Sequence, residues 1–299
     1  MILFILVIMS LLLIFLIWYV EGYRYVSLNR NESTELINLD KTYKYIPKVK
    51  SQYKTVVSLT TIPDRIDKLI PTLSSIYSQS VRVDEIRLNI PYKSRKGKNY
   101  NIPEYLEKCK YINIARVKED LGPSTKLLPT SKDEKSNTRI IVIDDDQIYG
   151  SEFIETMMEI FEKREGKIAV TNYGANFLDT SWDRLSCYGS GSKYVDTLFG
   201  CGGYIVTPKM LPKEIYDYST APQSAVYVDD NWISGWLKYN GIKIYMKGLN
   251  KGTCFFLSQA TISTTSLSGG PNKNHKHEDI VNKWFQNLDF IFLDRNCRN

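Results

Sequence analysis

The segment Arg139–Gly150, RIIVIDDDQIYG, places three consecutive aspartates directly after a short apolar run. The run Ile140–Ile143 is uninterrupted and β-branched, which predicts a strand buried on both faces of a parallel sheet. Adjacent carboxylates repel one another and each favours water or a cation. In an extended chain, Asp144 and Asp146 would face one way and Asp145 the other. Because open α/β sheets bind ligands at the carboxyl ends of their strands, the cluster predicts a ligand site.

The residue types of this cluster suit a hard divalent cation. Mg²⁺ is commonly held by one or two carboxylates and completed by phosphate oxygens, so we expect Asp144 and Asp146 to bind Mn²⁺ or Mg²⁺. The alternative is a solvated acidic turn. The two histidines of the chain, His275 and His277, are separated by one residue. In an extended segment both would face one side and can reach a metal, with a surface loop as the alternative.

Strand-like and helix-like segments alternate from Lys54 onward. Strands are predicted at 55–61, 85–91, 111–117, 140–143 and 167–173, and helices around 65–79, 125–128 and 152–166. The first helix contains Pro71, which is expected to kink it. This alternation predicts an α/β fold with one mostly parallel sheet covered by helices. A further helix, led by Asp229 and Asp230, follows a glycine-rich stretch, and residues 53–299 are long enough for one domain.

The first twenty residues contain no ionisable side chain. At about 1.5 Å per residue they can span the roughly 30 Å hydrocarbon core of a membrane. This stretch has no basic n-region, and no small-x-small cleavage site follows it before Glu21, which favours an uncleaved single-pass anchor over a signal peptide. Basic residues follow the span and none precedes it, so the catalytic domain is expected to be cytoplasmic. Residues 21–52 lack a sustained period and are predicted to form a stem.

Charge and cysteine content exclude several classes of protein. The net charge of +6 is spread along the chain, and the aromatic residues form no RNA-binding signature, so nucleic acid is not an expected partner. The five cysteines are scattered and form no CxxC pair, which argues against a zinc knuckle or a disulfide framework. A basic chain with one concentrated acidic cluster fits an anionic small ligand and a metal.

The segment SLTTIPDR, Ser58–Arg65, follows the first predicted strand. Thr60 and Thr61 offer hydroxyl groups there. Arg65, at the start of a helix, can pair with a phosphate with the help of the helix N-terminus. In the alternative interpretation, Asp64 is simply the N-cap of that helix.

Two further segments carry candidate functional residues. In EDLGPSTKL, Glu119–Leu127, a Gly-Pro turn presents Lys126, which either neutralises a phosphate or is a solvated helix lysine. The segment lacks the GxxxxGK[ST] pattern of a phosphate-binding loop. In VYVDDNWISGW, Asp229 and Asp230 precede a helix. One carboxylate can cap that helix, and the other can accept a proton from an incoming hydroxyl group.

These segments, in this order and with GCGGYIVTP at 200–208, resemble the GT-A glycosyltransferases. They are similar in particular to small glycosyltransferases of large DNA viruses and some bacteria, over about residues 55–250. The resemblance implies a Rossmann-like GT-A fold and a UDP- or GDP-linked sugar donor. It also implies transfer of a hexosyl or deoxyhexosyl group to a hydroxyl of a glycan, a protein or a lipid.

The resemblance also implies roles for individual residues. Asp144 and Asp146 match the metal-binding aspartates. The nucleotide pocket is expected to be lined by Thr60, Thr61, Arg65, Asp120, Lys126, Asp144 and Asp145. Gly202 and Gly203 match a flexible loop beneath the donor sugar and the acceptor. Asp230, beside Asp229, matches the base of inverting members, and His275 or His277 matches a late metal ligand.

Two other functions remain open from the sequence. A phosphatase or phosphotransferase of the haloacid dehalogenase type also places a DxD motif after an apolar strand, with Asp144 as nucleophile. In that class the nucleophile strand normally opens the domain, whereas here predicted α/β structure precedes it. The other alternative is a membrane-anchored binder of carbohydrate or metal. An EF-hand is excluded, because its loop requires glycine where this chain has Tyr149. A metal-dependent, inverting glycosyltransferase is therefore the expected function.

Overall fold

The computed structural model describes residues 32–176, 193–248, 254–256 and 276–288. The strands of this part of the chain are β1 (Thr55–Thr60), β2 (Glu85–Pro91), β3 (Ile112–Val117), β4 (Arg139–Val142), β5 (Gln147–Tyr149), β6 (Ala169–Ala175), β7 (Lys193–Val195), β8 (Thr197–Val206), β9 (Ile244–Met246) and β10 (Cys254–Phe256). The α-helices are α1 (Glu32–Tyr43), α2 (Ile70–Tyr77), α3 (Glu104–Lys108), α4 (Leu128–Asp133), α5 (Phe153–Lys163), α6 (Asp229–Tyr239) and α7 (Lys276–Asn287).

Eight of these strands form one mixed sheet in the order β3-β2-β1-β4-β8-β6-β9-β7. The pairs β1–β2, β2–β3, β1–β4 and β6–β9 are parallel. Strand β8 is antiparallel to both of its neighbours, β4 and β6, and a small antiparallel pair joins β5 to β10. Helices flank the sheet, so the predicted α/β fold with a mostly parallel sheet is confirmed.

The connections of the sheet create a switch point between β1 and β4. The chain runs from β1 outward to β2 and β3, then returns to place β4 on the opposite side of β1. In open α/β sheets such a reversal leaves a crevice outside the carboxyl ends of the two central strands. The segments that follow these two strands are the ones expected to carry the site.

The first predicted helix differs from the expectation at Pro71. The sequence pattern indicates one kinked helix over 65–79, but the structure has a 3₁₀ turn at Ile66–Lys68 followed by α2, which begins at Ile70. Pro71 therefore lies in the first turn of α2. Backbone N–H groups in the first turn of a helix make no intrahelical hydrogen bond, so proline, which lacks this N–H, is tolerated there. The expected kink is wrong, and the proline starts the helix instead.

Part of the predicted stem, residues 32–43, forms helix α1, which packs on the body of the domain. Helix α1 lies against α2, and its Leu36 and Tyr43 are almost completely buried in the core. Asp40, also buried, accepts a hydrogen bond of 2.7 Å from Tyr77 Oη. In the part of the chain that the structure describes, no helix is long and apolar enough to cross a membrane. The predicted anchor, 1–20, lies outside the described residues.

The last helix packs on α6 at a glycine. A Cβ atom on Gly235 would lie 2.3 Å from Cε2 of the buried Phe285. Trp284 extends the same contact, with its ring 5.5 Å from that of Trp232 and 6.1 Å from that of Trp236. The close approach of α6 and α7 therefore depends on the absence of a side chain at position 235.

Gly235→Ala is accordingly expected to destabilise the protein by about 1–3 kcal/mol through overpacking. This loss is expected although alanine favours a helix by roughly 1 kcal/mol over glycine. Urea unfolding of the single variant and of Gly235→Ala/Phe285→Leu measures the effect, and the smaller side chain should recover part of the loss. A single variant as stable as the parent protein would contradict the packing of α7 on α6.

A buried thiol gives the free energy of unfolding an alkaline pH dependence. Burial, together with the charge of Asp40, raises the pKa of Cys109 to about 11. Because its folded pKa is raised, Cys109 stabilises the fold below its unfolded pKa of about 8.5, and this contribution is lost as pH rises toward 11. We expect the stability difference between the parent and Cys109→Ala to shrink over this range. A difference independent of pH between 8 and 11 would show that the thiol does not titrate from a buried site.

Candidate functional site

The three aspartates lie in a turn between β4 and β5, at the switch point. Strand β4 ends at Val142, and Asp145 and Asp146 lie in a turn. The expected alternation of their side chains is therefore wrong. Asp145 and Asp146 share the guanidinium group of Arg65, with Nη2 2.9 Å from Asp145 Oδ1 and Nη1 2.9 Å from Asp146 Oδ2. In this structure, the guanidinium group of Arg65 is therefore paired with Asp145 and Asp146, two residues of the aspartate cluster.

Asp145 is the buried member of the cluster. Its Oδ2 accepts a hydrogen bond of 2.5 Å from Thr61 Oγ1, and its backbone carbonyl accepts one of 3.0 Å from Thr72 Oγ1. Burial raises the pKa of Asp145 to about 6, although the charge of Arg65 opposes this shift. Both carboxylate oxygens are taken by protein groups. Asp145 and Thr61 therefore support the turn in this conformation, and the nucleotide contacts expected for them stay a prediction.

Lys126 joins the aspartate turn to the second acidic pair. Its Nζ lies 2.6 Å from Asp144 Oδ1 and 2.9 Å from Asp229 Oδ2, and the lysine side chain is buried. Burial alone would lower the pKa of Lys126. The negative charges of Asp144, Asp229 and Asp230 outweigh burial and raise the pKa well above its usual value. Lys126 is therefore a buried, permanently charged ammonium group among carboxylates.

Strand β8 forms the backbone wall of this cluster at Gly200. The N–H of Gly200 donates a hydrogen bond of 2.9 Å to Asp230 Oδ1. A Cβ atom on Gly200 would lie only 2.3 Å from Lys126 Nζ and 3.1 Å from Asp230 Oδ1. Only glycine leaves room for the ammonium group here. The sequence signal was present in the GCGG stretch, but it does not reveal which glycine faces the site.

Asp229 and Asp230 begin helix α6, as the sequence predicts. Burial raises the pKa of Asp229, and burial together with the neighbouring charge of Asp229 raises the pKa of Asp230 well above its usual value. A carboxyl group whose pKa is raised above its usual value is better suited to accept a proton. The pair thus has the electrostatic setting of a general base supported by Lys126.

A buried polar network, which the sequence reasoning missed, holds Lys126 in place. Ser58 Oγ on β1 donates a hydrogen bond of 2.6 Å to the backbone carbonyl of Lys126 and lies 2.7 Å from Thr130 Oγ1. Asn89 Nδ2 on β2 donates to both of these hydroxyl oxygens, at 3.1 and 2.8 Å. The sequence did contain a signal for this network, because the polar residues Ser58 and Asn89 lie within the apolar strands β1 and β2. Buried polar groups are almost always paired, so such residues indicate a network.

Other predicted site residues have local structural roles in this conformation. Thr60 Oγ1 donates a hydrogen bond of 2.8 Å to the carbonyl of Asn89. Asp120 closes a turn, because its Oδ2 accepts the N–H of Arg95 at 2.7 Å and its Oδ1 accepts the N–H of Gly122 at 2.8 Å. Neither Thr60 nor Asp120 belongs to the carboxylate clusters around Arg65 and Lys126.

Gly202 and Gly203 lie inside strand β8, so the expected flexible loop is wrong. A Cβ atom on Gly202 would lie 2.1 Å from Cδ2 of the Tyr173 ring. Gly203 has a φ of +76°, and a Cβ atom there would lie 2.6 Å from Cζ of Phe153. Aromatic rings packed against the strand therefore account for both glycines, and both are buried.

His277 packs on the segment that leads into α6. Its Nδ1 lies 2.8 Å from Ser224 Oγ, and its ring centroid is 5.1 Å from that of Tyr227. His275 lies outside the described residues. Over 32–176, 193–248, 254–256 and 276–288, no three His, Cys, Asp or Glu side chains are grouped to hold a metal ion. Any metal bound by the described residues would need one or two carboxylates and ligands from elsewhere.

The chain matches none of the known protein families against whose models it was scanned, and none of the curated proteins against which it was searched. An α/β sheet of this kind supports many unrelated activities, so the fold alone does not decide the function. The function has to be inferred from the chemistry of the groups that meet at the switch point.

Proposed function

We propose that this protein is a metal-dependent GT-A glycosyltransferase. It would move a sugar from a UDP- or GDP-linked donor to a hydroxyl group of a glycan, protein or lipid, with inversion. The observation that carries the proposal is the meeting of two acidic groups at the carboxyl ends of the central strands, Asp144–Asp146 after β4 and Asp229–Asp230 at α6, with Lys126 between them. In one transfer reaction, the first acidic group would bind the sugar donor through a metal ion, and the second would supply the base.

Two carboxylates, Asp144 and Asp146, would suit a divalent cation that is completed by phosphate oxygens. The side chains of Asp144 and Asp146 are 26% and 24% exposed, so both carboxylates are within reach of a ligand. One or two carboxylates plus substrate phosphates is the usual coordination of Mg²⁺ in such sites, and Mn²⁺ accepts the same ligands. When bound, the ion would stabilise charge on the leaving diphosphate as a Lewis acid, worth several kcal/mol. Arg65, whose side chain is 22% exposed, would offer further positive charge to phosphate oxygens.

On the base side, Asp230 would take the proton of the acceptor hydroxyl. The acceptor oxygen forms a bond to the anomeric carbon while the bond from that carbon to the diphosphate oxygen breaks. The hydroxyl proton passes to the carboxylate of Asp230, whose raised pKa favours protonation. Lys126 and Gly200 hold that carboxylate in place through charge and a hydrogen bond. A single displacement of this kind inverts the anomeric configuration.

Calorimetric binding of UDP and GDP by the full-length protein in detergent, with Mn²⁺ and then with EDTA, tests the donor side. We expect one nucleotide to bind with Mn²⁺ and at least tenfold more weakly with EDTA. Asp146→Asn should weaken the metal-dependent binding, because it removes one of the two partly exposed carboxylates. Asp67→Asn, an exposed aspartate outside the clusters, is the matched control. Equal binding with and without metal, unaffected by Asp146→Asn, would contradict the proposal.

A further inference from the structure

The backbone of Arg65 is fixed by hydrogen bonds on both sides of the residue. Its N–H donates to the carbonyl of Ile62 at 2.9 Å, and its own carbonyl accepts the N–H of Lys68 at 2.8 Å. Arg65 thus leads into the 3₁₀ turn Ile66–Lys68. Because an arginine side chain has many rotamers, the guanidinium group can change partners while the main chain stays in place.

The two carboxylates that Arg65 bridges differ in burial. The side chain of Asp145 is 5% exposed and that of Asp146 is 24% exposed. Asp145 also accepts the hydroxyl group of Thr61. Removing the cationic partner of a buried carboxylate is strongly destabilising, whereas water or a ligand can replace the partner of an accessible one. The contact with Asp146 is therefore the one that Arg65 can give up at the lower cost.

Arg65 also has a donor that no described part of the chain uses. Its Nε is buried and forms no hydrogen bond with any residue that the structure describes. The remainder of the side chain reaches the surface. Because buried polar groups are almost always paired, this donor points to an acceptor that a ligand would supply. Phosphate is such an acceptor, since arginine binds it with two parallel N–H groups.

The carboxylate of Asp146 is already engaged by protein groups on both oxygens. Its Oδ2 lies 2.9 Å from Arg65 Nη1, and its Oδ1 accepts Nε2 of Gln147 at 3.0 Å. A divalent cation on this carboxylate would stand beside the guanidinium group, and like charges at such close range repel. A diphosphate removes the conflict, because its oxygens accept N–H groups from arginine and also coordinate the cation.

We propose that Arg65 exchanges Asp146 for the diphosphate of the nucleotide when Asp146 takes up the divalent cation, and that it stays paired with Asp145 throughout. The inference rests on the proposed function, which supplies the cation and the nucleotide. Arg65 would oppose the binding of the cation alone and support its binding together with the nucleotide. By linkage, each of the two ligands then strengthens the binding of the other by the same factor.

Binding of Mn²⁺ to the full-length protein in detergent, without nucleotide, tests the first half of the exchange. Electron paramagnetic resonance of the free ion follows it. The reference is Asp145→Asn, because Arg65→Gln alone would leave a buried carboxylate without a cation. We expect Arg65→Gln/Asp145→Asn to bind Mn²⁺ about tenfold more tightly than the reference, which corresponds to about 1.4 kcal/mol. Lys68→Gln/Asp145→Asn removes an exposed positive charge from the adjoining turn and should bind Mn²⁺ like the reference. Equal affinities in all three variants would overturn the inference.

Nucleotide binding at saturating Mn²⁺ tests the second half. We expect the nucleotide that the parent binds, UDP or GDP, to bind Arg65→Gln/Asp145→Asn about tenfold more weakly than Asp145→Asn. Tighter metal binding with weaker nucleotide binding distinguishes an exchange from a damaged fold, which would weaken both. Tighter metal binding with unchanged nucleotide binding would make Arg65 a counter-ion of the aspartates alone and would overturn the exchange.

The proposed function and the exchange fail in different ways. A parent protein that binds neither UDP nor GDP with Mn²⁺ would contradict both. A parent protein that binds a nucleotide with Mn²⁺, while the Arg65 double variant and its reference bind both ligands equally, would overturn the exchange and leave the proposed function standing.

Discussion

Replacing Lys126 with methionine is expected to destabilise the protein by roughly 3–5 kcal/mol, the cost of leaving buried charges without their partner. The substitution keeps the length of the side chain but removes the ammonium group from between Asp144 and Asp229, with Asp230 alongside. Three carboxylates would then share a confined site with no cation. Urea unfolding at neutral pH measures the loss of stability.

Two features make this expectation specific to the charge of Lys126. Lys135→Met, at an exposed position, should change the free energy of unfolding by less than about 0.5 kcal/mol. The pKa values of Asp229 and Asp230 are already raised in the fold, so these groups take up protons readily as pH falls. The penalty for Lys126→Met should therefore shrink toward acidic pH. A variant as stable as the parent at neutral pH would show that Lys126 does not hold the clusters together.

The second large effect is expected on activity. Asp230→Asn should lower the transfer rate by about 10² to 10⁴, the usual contribution of a general base. Asparagine keeps an oxygen that can accept the N–H of Gly200, now bonded at 2.9 Å, but it cannot take a proton from the acceptor. The variant should therefore remain folded, with donor binding close to that of the parent.

Steady-state transfer with a defined donor and acceptor measures this effect, and thermal unfolding checks that the fold is intact. Asp67→Asn removes an exposed carboxylate outside the clusters and serves as the control. Near-normal transfer by Asp230→Asn would remove that residue from the role of base. Loss of transfer together with loss of the fold would instead assign it a structural role.

The sequence predicts the sheet well where strands are buried on both faces. Strand β2 has the predicted bounds, Glu85–Pro91, and β1 ends one residue earlier than expected, at Thr60. A continuous apolar, β-branched run is a local signal that needs no knowledge of the neighbouring strand. The acidic start of α6 at Asp229 is predicted for a similar reason, because carboxylates are favoured in the first turn of a helix.

The contacts of the site could not be predicted, because they join residues far apart in the sequence. The pairing of Arg65 with Asp145 and Asp146 depends on a turn whose conformation follows from the end of β4. The need for glycine at position 200 arises from the ammonium group of Lys126, which reaches it from another part of the chain. A residue pattern within one segment carries no information about either contact.

Helix α1 illustrates the same limit for the fold. Its sequence has only a weak apolar period, so the stem was the natural prediction for residues 21–52. The helix is held by tertiary contacts instead: Tyr43 packs edge-on against Tyr77 and Tyr111, and Asp40 accepts a hydrogen bond from Tyr77. Its stability comes from partners that lie beyond the local sequence.

Turnover of a nucleotide-sugar is the most direct test of the proposed function. The full-length protein in detergent is incubated with a panel of UDP- and GDP-linked sugars, with Mn²⁺ and then with EDTA, and release of the nucleoside diphosphate is followed. We expect one donor to be turned over only with metal, and Asp144→Ala to abolish that turnover. Silence across the panel, with inorganic phosphate released from simple phosphate esters instead, would contradict the glycosyltransferase and favour a phosphatase with Asp144 as its nucleophile.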